Sequence, residues 1–69
     1  MRYEVFAQIK PGDEIIHVGR VEADNGRLAK SYARTTFNEE DWNYMAVVAE
    51  ENLLEVTGEH DIPTPEGEL

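Results

Sequence analysis

The chain is predicted to fold as a small α+β domain of ββαβ order, with three antiparallel strands in one sheet and a single helix packed on one face. Three observations predict it. Two apolar-rich runs, YEVFAQIK and EIIHVGRVEA, flank the turn signal Pro11-Gly12-Asp13. The apolar spacing then becomes helical between residues 25 and 37. A third run, Tyr44-Met45-Ala46-Val47-Val48-Ala49, is rich in strand formers.

The hairpin comes first. Pro11 pre-sets φ for a turn, Gly12 tolerates positive φ, and Asp13 can bond its own backbone. A three-residue loop over 11–13 places Lys10 opposite Glu14 and pairs odd positions with odd. Tyr3 then faces Val21, Val5 faces Gly19, Ala7 faces His17, and Ile9 faces Ile15. The other face pairs Glu4 with Arg20, Phe6 with Val18 and Gln8 with Ile16. The opposite charges of Glu4 and Arg20 favour this register over a one-residue slip.

Asp24 is placed to cap a helix running from Asn25 to about Phe37. Leu28, Ala29, Tyr32, Ala33 and Thr36 form its inward stripe, and the alanines allow close approach to the sheet beside Gly19 and Ala7. Asn38 to Asp41 is a polar connection. The third strand follows from Tyr44 to Ala49, and Glu50-Glu51-Asn52 ends it. Leu53 to Val56 fits either a helical turn or a short strand. The domain is therefore expected over 1–57, with an acidic disordered tail over 58–69.

Composition bounds the function. Sixty-nine residues make one domain at most and bury little surface alone. There is no cysteine, so no disulfide or thiolate metal site can staple the fold. No run is apolar enough to span a bilayer, and a cytoplasmic location is the expectation. Fifteen acidic residues against six basic ones give a net charge of −9, which repels phosphate backbones and argues against a nucleic-acid partner. The charge is spread along the chain, as suits a salty cytoplasm, where ions screen self-repulsion; the competing reading is an acidic docking surface for a basic partner.

The candidates for chemistry are few. His17 and His60 are the only histidines and share no metal-ligand spacing, so neither metal nor cofactor is expected. His17 reads first as a strand histidine bonded to a neighbour, and second as a ligand-binding imidazole together with Trp42 and Tyr44. Aromatics that flank a strand more often close a core edge or an interface. Ser31, the only serine, lies in the helix without a nucleophile elbow. Glu39, Glu40 and Asp41 lack the spacing of a calcium loop and read as a solvated connection, as do Glu50 and Glu51. One helix covers one sheet face, and the other, expected to carry Phe6, Ile16 and Val18, is left for an interface. A homodimer is expected on these grounds.

Glu4-Val5-Phe6, His17-Val18-Gly19, Ala23, Leu28-Ala29 with Ala33-Arg34, and Val47-Val48, in this order and spacing, resemble the B subunit of the multicomponent phenylacetyl-CoA epoxidase. The similarity runs from about Tyr3 to Leu54. It departs from the family pattern at Ala46, where a Trp is usual, and at Glu39 and Glu40, where basic residues are common. The resemblance implies a non-catalytic assembly role, at most accessory to oxygenase subunits, with the iron and oxygen chemistry on another, helical subunit. The alternative is a small-molecule binding module using the sheet face around His17.

Overall fold

The structure, a computed structural model, describes residues 1–57. The expected tail at 58–69 lies outside the described residues. Strand β1 spans Arg2–Gln8, β2 Ile16–Glu22 and β3 Tyr44–Ala49, and helix α1 spans Gly26–Thr36. A single 3-10 turn at Glu50–Asn52 follows β3. The sheet order is β2-β1-β3, and both pairings are antiparallel, so β1 is central and the other two strands are edges. This is the ββαβ fold that the sequence predicts.

Alternation along β1 decides the layering. Tyr3, Val5 and Ala7 are buried beneath the helix, and their partners on β3 are Ala49, Val47 and Met45. Glu4, Phe6 and Gln8 point the other way, beside Val48, Ala46 and Tyr44. The core is thin. Tyr3, Val5, Val21, Ala23, Ala29 and Ala33 form it, with Val18, Leu28, Phe37, Met45, Val47 and Ala49 packed around them.

The hairpin holds the predicted register only in its first half. Tyr3 pairs with Val21, Glu4 with Arg20 and Val5 with Gly19, but Phe6 then pairs with His17 and Ala7 with Ile16. Val18 is the extra residue of a β-bulge. One inserted residue reverses the facing of everything beyond it. His17 therefore joins Phe6 on the uncovered face, while Val18 packs against the core. Ile16 falls on the Ala7 side. The expected patch of Phe6, Ile16 and Val18 is not one face.

The connection is also longer than three residues. Ile9 and Ile15 lie outside the strands and are exposed. The tight turn itself is as predicted. The Asp13 N–H donates to the Lys10 carbonyl at 3.0 Å, and Gly12 takes φ 90°, as the third position of a type II turn requires. Gln8 braces this end of the sheet: its Nε2 donates to the Asp13 carbonyl and its Oε1 accepts from Asn43 Nδ2, both at 2.7 Å.

The helix is capped by Asn25, whose Oδ1 accepts the Leu28 N–H at 2.9 Å; Asp24 lies one residue too early. Its buried stripe is narrower than the spacing suggests. Ala29 and Ala33 are buried, Leu28 and Phe37 flank them, and Tyr32 and Thr36 are exposed. The third strand has the predicted bounds. Leu53 to Val56 is neither helix nor strand, and Leu54 is 92% exposed.

Candidate functional site

Two regions gather chemistry, one on each side of the sheet. The uncovered face carries a carboxylate at its centre. Glu4 sits mid-strand on β1 and is only 6% exposed, although no element of the described chain is layered over it. Long neighbouring side chains screen it. His17 Nε2 lies 2.7 Å from its Oε1, and Arg20 Nε 3.6 Å from its Oε2. The bulge sets this geometry, because it turns His17 onto the same face as Glu4. The Phe6 and His17 rings lie 5.2 Å apart, tilted at 56°. Beyond Glu4, Arg2 bridges Glu22 and Glu50 at 3.7 Å each.

The His17 hydrogen bond, chiefly, holds the Glu4 carboxyl below its ordinary value of 4.5; burial opposes this, and the Arg20 charge and hydrogen bonding with Glu50 add to the lowering. A carboxylate whose folded value is depressed contributes stability above its unfolded value, lost as pH falls through the folded one. Glu4→Gln is therefore expected to lower the melting temperature at neutral pH, with the gap to the parent closing in acid. Thermal melts from neutral to strongly acidic pH check this, and a constant gap would assign the loss to packing alone.

The second region is a cleft of about 330 Å3 beside the β3 edge, on the helix side. Lys30, Arg34 and Phe37 line it from the helix end, Trp42 from the connection, and Met45 and Val47 from β3. Its aromatic wall is fixed in place. Trp42 Nε1 donates to the Phe37 carbonyl at 2.6 Å, and the Phe37 ring lies against Gly19.

The predicted ligand set is therefore split. His17 is on the uncovered face, Trp42 is in the cleft on the opposite side, and Tyr44 is 47% exposed at the start of β3. Ser31 lies on the exposed side of the helix, across the sheet from the Glu4–His17 pair. Among the described residues, no group of three or more His, Cys, Asp or Glu is arranged to hold a metal ion. Comparison with known families, curated proteins and solved structures returns no match.

Sequence reading passed over two parts of this arrangement. In the sequence Glu4 is legible only as the cross-strand partner of Arg20, and nothing in the pattern EVF announces a buried carboxylate. Lys30 and Arg34 lie off the apolar stripe of the helix and belong to no motif. Their four-residue spacing does place them on one face, and that signal was available.

Proposed function

We propose that this chain is a small non-catalytic assembly protein that works as a homodimer through its uncovered sheet face, the role implied by its resemblance to the epoxidase B subunit. One observation carries the reading: among the described residues, nothing is layered over one face of the three-stranded sheet. Phe6, Ala46 and Val48 are partly buried there, with Tyr44 exposed beside them. Arg2, Arg20 and Glu22 flank this apolar strip. The apolar part of this face lies along β1 and β3, beside the Glu4–His17–Arg20 cluster, so an occupant would meet an apolar strip flanked by charged groups that are already paired. The interface expected at Phe6, Ile16 and Val18 is thereby re-drawn around Phe6, with β3 supplying what β2 does not.

A second copy suits the face because the face carries both signs of charge. Two-fold symmetry can set the Arg20 of one copy near the acidic residues of the other. Salt would further screen repulsion between two chains of net charge −9. Further partners, such as oxygenase subunits, would then dock on the dimer. Among the described residues no helix is long and apolar enough to cross a membrane.

Phe6→Glu is expected to weaken the dimer by roughly a hundredfold to ten-thousandfold, since burying a Phe side chain is worth roughly 1.5–3 kcal/mol and each of the two copies loses one. Light scattering at molar salt reads this directly. A parent chain that stays monomeric at high concentration would overturn the reading, and a Phe6→Glu chain that stays dimeric would move the interface off this face.

A further inference from the structure

We propose that the cleft between α1 and β3 binds a small carboxylate with an apolar tail, the carboxylate at Lys30 and Arg34 and the tail against Phe37, Trp42, Met45 and Val47. The cleft opens on the helix side of the sheet and the proposed interface on the other, and the two share only Ala46 of the edge strand β3.

Charge placement points to an anion. The chain has six basic residues against fifteen acidic ones, yet two of the six stand one helical turn apart on the rim of a single cleft. Arg2 and Arg20 are ion-paired on the other face; among the described residues Lys30 and Arg34 are not in a salt bridge. A guanidinium and an ammonium on one rim suit a carboxylate, with Arg supplying a planar fork and Lys a point charge. Glu40 also lines the cleft and opposes an anion, so both cations are needed to outweigh it.

The walls point to an apolar tail. The indole is tethered by its bond to the Phe37 carbonyl and the Phe37 ring is seated on Gly19, so the two aromatic surfaces do not reorganise on binding. Met45 supplies an adaptable thioether surface and Val47 a branched one. A volume of about 330 Å3 lies at the small end of ligand sites, which favours a medium-length tail over a nucleotide or a coenzyme.

Trp42 is the only tryptophan of the chain and stands in the cleft, so its emission reports occupancy. The test titrates the full chain with decanoate, decanol and decyltrimethylammonium, all below their micellar concentrations. Saturable change with decanoate, weaker response to decanol and least to the ammonium is expected. Lys30→Gln and Arg34→Gln are exposed helix changes whose folding circular dichroism verifies. Each is expected to weaken decanoate binding by about tenfold, the value of one charge-assisted hydrogen bond. No saturable change at millimolar decanoate, equal affinity for decanol, or glutamine variants that bind as the parent does would each overturn the proposal. So would saturable binding of an extended acidic peptide in place of decanoate, which would reassign the cleft to strand addition along β3.

Discussion

A Gly19→Ala chain is expected to melt well below the parent, although the change adds a single methyl group. Two costs fall on that group. Gly19 sits at φ 156°, a backbone conformation that side-chain-bearing residues rarely adopt, and such strain costs roughly 1–3 kcal/mol. A Cβ there would also lie 2.5 Å from Phe37 Cζ and 2.8 Å from its Cε1, inside any tolerable contact. The Phe37 backbone is held, because its N–H closes the last helical turn onto Ala33 and its carbonyl accepts from Trp42, so relief has to come from rotation of the ring. Overpacking of this kind costs about 1–3 kcal/mol more, and in a domain this small each kcal/mol lowers the melting temperature by roughly 4–8 °C. A double-mutant cycle with Phe37→Leu separates the two costs. If the clash matters, Phe37→Leu costs less in the alanine background than in the parent. If the two changes simply add, backbone strain alone accounts for the loss. Melting of Gly19→Ala within a degree or two of the parent would overturn both.

Gly19 also marks the boundary of what the sequence discloses. The pairs Tyr3–Val21, Glu4–Arg20 and Val5–Gly19 are legible, because opposite charges and matched apolar positions agree on one register. The third strand is legible to the residue, because YMAVVA has strand formers bounded by polar runs. The bulge is not. An isolated glycine inside a strand is a recognised bulge signal, but room for a helix explains the same residue equally well. That one ambiguity decides the face of Val18, His17 and Ile16, and with it the expected interface. Leu28 and Tyr32 have the spacing of a buried stripe, yet a helix lying on a three-stranded sheet buries chiefly the Ala29–Ala33 line. The cleft was beyond reach for another reason. Lys30 and Trp42 are far apart in local pattern, and only the return of the chain from α1 to β3 sets them on one surface.

The close seating of that helix makes the last expectation a large one. Ala29→Leu is expected to destabilise the domain by about 1–3 kcal/mol, the usual cost of forcing extra methylenes into a filled core. Ala29 has no exposed surface and packs in the cluster of Tyr3, Val5, Val21, Ala23 and Ala33. Three added carbons must push the helix off the sheet or drive side chains out of their preferred rotamers. Helix propensity does not confuse the result, since leucine ranks close to alanine. Total stability for 69 residues is on the order of 3–10 kcal/mol, so the loss is a large part of what holds the fold. Tyr32→Leu is the internal control: it lies on the same helix, is 44% exposed, and is expected to change stability by less than about 0.5 kcal/mol. Urea unfolding of the two variants reads the difference. If Ala29→Leu is as silent as Tyr32→Leu, the helix does not sit tightly on the sheet, and the small size of Ala29 and Ala33 is not what sets the spacing of the two layers.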